Sequence, residues 1–250
     1  MSLTSLATQI LSWRPPQGDL ELTSEEIHVW RAGLDQPPSA VESLLQILSP
    51  DERSRAGRFY FQKDRDHYIV ARGVIRKLLG QYLGAEPERL RFCYNSYGKP
   101  ALAPEIGGDS LKFNVSHSHG LATFAVTRGW ELGVDLELIR PDFATMEIAE
   151  HFFSRWEIEA LRALPPEARA QAFFNCWTRK EAYVKARGQG LSLPLDQFAV
   201  SLAPGEPAAL LHVEGDPEEA RRWSLRELHL DPGYAGAIAV RTSRPRPSES

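Results

Sequence analysis

Three carboxylates and a lysine stand in two short stretches of this chain at spacings that can do chemistry. Asp135 and Glu137 flank Leu136, and Glu181 precedes Lys185 by four residues. Alternation puts Asp135 and Glu137 on one side of a strand. The i, i+4 spacing puts Glu181 and Lys185 on one helix face, with Trp177 a turn earlier. Taken singly, each stretch has an ordinary reading: the polar face of an antiparallel strand, and a surface ion pair in its favourable order. Taken together, they supply three acids beside an ammonium group, the donor set a magnesium ion uses when phosphate oxygens and water complete its octahedron. No EF-hand loop supports calcium, and Cys93 and Cys176 lie far apart without zinc-type spacing. The substrate these groups anticipate is phosphorylated.

Two further features point the same way. Ser116-His117-Ser118-His119 follows a predicted strand, where a loop can offer hydroxyl, imidazole and backbone N–H groups to a phosphate. A single histidine in such a loop is more often structural, and His117 with His119 lacks the further ligands zinc would need. Between Arg53 and Arg76, seven basic residues (Arg53, Arg55, Arg58, Lys63, Arg65, Arg72, Arg76) face only Asp64 and Asp66, on a chain of net charge -4. That run is either a solvated helix face or a site for an anion, and arginine suits bidentate phosphate contacts.

The elements that must position these groups can be read from period and punctuation. At 250 residues, 42% of them hydrophobic and 25% charged, the chain can bury a core without disulfide or metal support. No apolar run reaches membrane-spanning length and no leader-like N-terminus stands out, so a cytoplasmic protein with no membrane and no nucleic-acid partner is expected. A lead-in over residues 1–19 shows no sustained period. A strand is expected near Ile27 to Arg31, helices over Ser39 to Leu48, from Ser49-Pro50 onward, and over Lys63 to Leu83, then strands at Leu90 to Tyr94, Leu111 to Ser116, Leu121 to Thr127 and Glu131 to Glu137. Helices recur over Phe143 to Phe153, after the Ser154 capping box, and over Glu167 to Arg187. Strands return at Phe198 to Leu202, Leu210 to Val213, Trp223 to Leu230 and Ala235 to Val240. The repeated order suggests two similar α+β halves, 20–128 and 129–243, with a disordered tail over 244–250.

The ordered set Tyr97-Gly98-Lys99-Pro100, Phe113-Asn114-Val115-Ser116-His117, Gly133-Val134-Asp135-Leu136-Glu137, Phe152-Phe153-Ser154, Trp177 to Lys185, and Gly190 to Leu195 resembles the Sfp-type 4′-phosphopantetheinyl transferases. Each pattern is weak alone; six in order over about residues 50 to 200 are specific. The resemblance implies two pseudo-duplicated α+β halves with coenzyme A between them, and transfer of its 4′-phosphopantetheine arm to a serine of an apo acyl or peptidyl carrier protein, with adenosine 3′,5′-bisphosphate released.

By position, the resemblance makes Asp135, Glu137 and Glu181 ligands of Mg²⁺. It places Lys185 and Lys180 at the coenzyme, Ser116 and His117 at its phosphates, Lys99 near its adenine end, and Arg55, with Arg53, at its 3′-phosphate. Glu181 is the expected base, with Lys185 and His117 completing the catalytic set. At the second of these 3′-phosphate places Glu52 and Arg53 stand around a position that is usually a simple basic one. Arg155 or Arg179 is a candidate contact for an acidic carrier helix, and the duplication favours a monomer. Two rivals share the same residues: a hydrolase of the coenzyme A diphosphate, and a non-catalytic coenzyme A-binding protein. A mass gain on an apo carrier separates the transferase from both.

Overall fold

The computed structural model describes residues 5–8, 20–106 and 111–242. Ser5–Thr8 (β1) pairs in parallel with Glu26–Gly33 (β2). A four-residue strand held by backbone pairing needs no side-chain period, so nothing in the lead-in announces it. The rest of that lead-in, and the tail expected over 244–250, lie outside the described residues.

Three helices follow: Pro38–Gln46 (α1), Pro50–Ala56 (α2) and Gln62–Leu83 (α3). Pro50 occupies the first turn of α2, where its missing N–H costs nothing, and the Ser49 N–H donates to the Glu52 carboxylate at 3.0 Å. A small hairpin, Phe92–Tyr94 (β3) and Pro100–Leu102 (β4), leads into Lys112–Ser118 (β5) and Leu121–Thr127 (β6). The second half runs Leu132–Leu138 (β7), Met146–Phe152 (α4), Arg155–Ala163 (α5), Pro166–Arg187 (α6), a small hairpin of Phe198–Val200 (β8) with Leu210–Val213 (β9), then Trp223–Glu227 (β10) and Tyr234–Arg241 (β11).

The two halves share one topology. Leaving β1 aside, each is a strand, three helices, a two-stranded hairpin and two closing strands. The sheets are ordered β1-β2-β6-β5 and β10-β11-β7, so β2 pairs antiparallel with β6 as β7 does with β11. The α+β class in two similar halves, expected from the order of elements, is what the chain forms.

One core lies between the first sheet and α1 to α3, around Trp30, Leu44, Ile75, Leu79 and Phe124. A second lies under α6, around Phe173, Tyr183, Phe198 and Ala237. A third, of Ile27, Val29, Ala125, Val134, Leu136 and Ile238, joins strands of both sheets. Their alternate residues are apolar on both faces, as strands covered on each side require. No helix among the described residues is long and apolar enough to cross a membrane.

One local expectation needs correction. Ser116, His117 and Ser118 belong to β5 itself, and the turn begins only at His119, whose φ is 54°. The run of polar residues reads as a loop, but its alternation serves a seam.

Candidate active site

The seam is where edge strand β5 of the first sheet lies beside edge strand β7 of the second. No backbone ladder joins them; polar side chains of β5 do so instead. Asn114 Oδ1 accepts from the Val134 N–H at 2.9 Å, Ser116 Oγ donates to Asp135 Oδ1 at 2.8 Å, and Ser118 Oγ donates to Glu137 Oε2 at 2.6 Å while accepting from the Leu138 N–H at 3.2 Å. Asn114, Ser116 and Ser118 alternate, so one face of β5 presents all three. Asn114 and Ser118 lie in stretches noted in the sequence but carry no site role there, although their period of two with Ser116 was there to be read.

Helix α6 lies against β7 at van der Waals limits. A Cβ at Gly133 would stand 2.2 Å from the Ala182 carbonyl oxygen and 2.3 Å from the Ala186 nitrogen. Only glycine permits that approach, and the approach brings Glu181 and Lys185 over Asp135. Lys185 Nζ donates to Asp135 Oδ1 at 2.6 Å and to Ser116 Oγ at 2.9 Å. The helix ends on Gly188 in the left-handed region, φ 67°. Its last carbonyls are gripped from the other half: Asn95 Nδ2 donates to Gly188 O at 2.7 Å, and Lys99 Nζ to Ala186 O at 3.1 Å.

The acids are electrostatically loaded. Asp135 is 2% exposed, and its Oδ2 is buried without a hydrogen-bond partner. Burial raises the Glu181 pKa; the charges of Asp135 and Glu137 add to the rise and Lys185 opposes it. Burial likewise raises Glu137, with Asp135 adding to it while Ser118 and Lys185 oppose. An orphaned buried carboxylate oxygen beside two acids held above their usual range is the environment a cation relieves. Among the described residues, no three acid, histidine or cysteine groups are already gathered at metal-ligand spacing. The Lys185 ammonium stands on the Asp135 oxygen instead.

The other expected residues divide. Ser116 is buried at the seam, and His117 is exposed beside it on β5. Desolvation, then the charges of Lys185 and His67, hold the His117 imidazole below its ordinary pKa. A hollow of about 300 Å³ is lined by Tyr97, Lys99, Asn114, Glu181 and Lys185 among others. Lys99 is among these residues, and its Nζ is held by Leu132 O and Ala186 O, with Glu131 at 3.7 Å. A second hollow of about 280 Å³ shares Lys99 and Pro100 with the first, and it shares Tyr94 with a third, about 650 Å³, lined by Arg55, Arg58, Phe59, Tyr68 and Tyr94 over Glu52. The hairpin β3–β4 thus borders all three.

Three expectations fail on geometry. Lys180 is fully buried on another side of α6, paired with Glu157 at 2.8 Å and donating to Leu195 O and Phe198 O. Successive helical residues point about 100° apart, so its neighbour reaches the seam and Lys180 reaches the core. Arg53 donates to Leu48 O and Gln46 O and closes the end of α1 rather than lining a hollow. Arg179, offered as a carrier contact, is 1% exposed and bound to Ser201 and the Glu206 carbonyl; Arg155 remains exposed.

Comparison with known proteins matches both halves in order. Residues 29–128 match the 4′-phosphopantetheinyl transferase N-terminal family and residues 131–239 the 4′-phosphopantetheinyl transferase superfamily. The chain is 43% identical to the 4′-phosphopantetheinyl transferase HetI of Nostoc sp. over 229 residues, 92% of this chain and 93% of HetI. It is 29% identical to the transferase Sfp of Bacillus subtilis, across 83% of this chain and 89% of Sfp. It is 28% identical to the human L-aminoadipate-semialdehyde dehydrogenase-phosphopantetheinyl transferase, across 82% and 71%. The duplicated topology and a relative of 43% identity along nearly the whole length lead to one assignment: this chain belongs to the 4′-phosphopantetheinyl transferase superfamily.

Proposed function

We propose that the seam transfers the 4′-phosphopantetheine arm of coenzyme A to the serine of an apo acyl or peptidyl carrier protein, with a magnesium ion held by Asp135, Glu137 and Glu181. The observation that carries this reading is the orphaned Asp135 Oδ2, buried beside two acids whose pKa values are raised. A hard divalent cation takes such oxygen donors together with phosphate oxygens and water. When bound, the ion would polarise the diphosphate and balance charge on the leaving phosphate.

The chain's own groups account for the rest. Glu181 faces the hollow beside the seam and accepts the proton of the carrier serine as its oxygen attacks the β-phosphorus in line. Lys185, on the same face of α6, turns from Asp135 to the diphosphate and stabilises charge developing there. Ser116 holds Asp135 Oδ1, and His117 stands exposed where a phosphate oxygen can accept its N–H. Arg55 supplies positive charge at the far hollow, where it would meet the 3′-phosphate.

The test is a mass assay: coenzyme A, Mg²⁺ and an apo carrier protein, read as a gain of the phosphopantetheine arm on the carrier. Glu181→Ala is expected to lower the transfer rate by roughly 10²- to 10⁴-fold or more, since it removes a base and an ion ligand together. Near-normal transfer by that variant would sink the assignment. Release of pantetheine phosphate without carrier would point to a hydrolase instead.

A further inference from the structure

The second half has a hollow of its own that the seam does not use. It lies on the side of α6 that Lys180 occupies, between the start of α5 and the hairpin of β8 with β9. About 380 Å³ is enclosed, a size typical of ligand sites. Trp156, Asp196, Phe198, Leu211 and Glu214 give its lining its chemical character.

The walls are set before anything enters. Glu157 is fully buried; its Oε2 accepts from the Ser154 N–H and Oγ at 2.8 Å, and its Oε1 accepts from the Val200 N–H at 2.8 Å. The turn that carries Trp156 is thereby pinned to β8. Lys180 pairs with Glu157 at 2.8 Å, and its Nζ lies 4.2 Å from the centre of the Phe198 ring. The Glu214 N–H donates to Gln197 O at 2.8 Å, which joins the segments bearing Asp196 and Glu214. Binding here orders little that is not already ordered.

The lining selects its occupant by charge and shape. Among the described residues the second half exposes three large apolar side chains, Phe152, Trp156 and Leu211, and the last two, 48% and 43% exposed, line this one hollow. Asp196 and Glu214 add two carboxylates, and no lysine or arginine stands among the described lining residues. A guanidinium answers both features: its flat face stacks on an indole and its N–H edge pairs with a carboxylate. An anion or an acidic helix meets like charge instead. Leu211 and Ala199 lie beyond the acids on the wall and suit an apolar side chain next to the cation, which a peptide supplies and a small cation does not.

We infer that this hollow is a docking site for a basic segment of a partner protein, with an arginine stacked on Trp156 and paired with Asp196 or Glu214, and an adjacent apolar residue against Leu211. The site is separate from carrier and coenzyme A binding and stands without the transferase reading. It gives the chain a second attachment point that leaves Glu181 and Lys185 free.

The experiment is calorimetry on the full chain with three probes: the peptide acetyl-Leu-Arg-Leu-Arg-Leu-amide, the same peptide with glutamate for arginine, and free arginine. The arginine peptide is expected to bind, and the other two to bind at least about tenfold more weakly. Trp156→Ala is expected to weaken the peptide about tenfold, the loss of one cation–π contact with its packing, and Trp156→Phe to recover part of that. Asp196→Asn combined with Glu214→Gln is expected to weaken it similarly and to flatten its salt dependence. Coenzyme A affinity is expected to stay within about twofold in all three variants, since hollow and seam share no residue, and overlaid melting curves show that they fold. No binding of the arginine peptide, equal binding of the glutamate peptide or of free arginine, or undiminished binding by the variants would each overturn the inference. A chain ending at Thr242 that binds the peptide about tenfold more tightly would also overturn it, assigning the hollow to the chain's own Arg244 and Arg246.

Discussion

Two buried acids hold arginine or lysine partners away from water, and each makes a testable claim. Glu52 is pushed up by burial, but the hydrogen bond from Arg76, the charge of Arg72 and the Ser49 N–H outweigh that and leave its pKa below the ordinary glutamate value. A depressed folded pKa contributes stability that is complete above the unfolded value and is lost as pH falls through the folded one. Acid unfolding of Glu52→Gln is therefore expected to depend less steeply on pH, below the ordinary glutamate range, than that of the parent. At neutral pH the variant is expected to be less stable by about 3 kcal/mol, having left two guanidinium groups without their carboxylate; urea melts at several pH values read both effects. Lys180→Met leaves Glu157 charged in the core and is expected to cost about 3–5 kcal/mol in the same melts, while the folded fraction keeps its coenzyme A KM. A raised KM there would restore Lys180 to the ligand. Sequence reasoning separates Glu181 and Lys185 from their neighbour only if the helical face is known. Runs of charged residues do not state which side of α6 meets the seam.

At the scale of elements, the position of α6 depends on a residue with no side chain. Gly133→Ala is expected to force α6 away from β7, costing about 3 kcal/mol in thermal or urea melts, and to lower transfer in the protein that remains folded, because Glu181 and Lys185 move with the helix. Stability and transfer unchanged by that substitution would contradict the packing described. Helices and strands were legible in outline because their periods are clean: the capping box at Ser154, the glycine after Arg187 and the alternation of Leu121 to Thr127 all mark real boundaries. What misled was β5. Ser116, His117 and Ser118 make the end of a strand look like a loop, since the two serines have polar groups of another strand as partners and no local signal announces an edge-to-edge seam. The short strand β1 escaped for the related reason that backbone pairing leaves no trace in side-chain pattern.

For the whole molecule, the third core makes the halves interdependent. Ile27, Val29 and Ala125 from one sheet and Val134, Leu136 and Ile238 from the other are buried together, and Asn95 and Lys99 of the first half terminate the long helix of the second. A single cooperative thermal transition is expected by calorimetry, with equal calorimetric and van't Hoff enthalpies; two resolved endotherms would show that the halves stand alone. The duplication was legible in the order of elements, because two copies of one strand–helix–strand order are visible at any level of detail, whereas the way they meet is a matter of edges and glycine. The ammonium of Lys185, resting on Asp135, makes the cleft an ion exchanger with its own counterion already loaded. A cation that arrives there replaces a positive charge and does not simply add one. On a chain of net charge -4, this means that a polyanionic donor approaching the seam meets one of its three acids already paired, which lessens like-charge repulsion before the metal is in place.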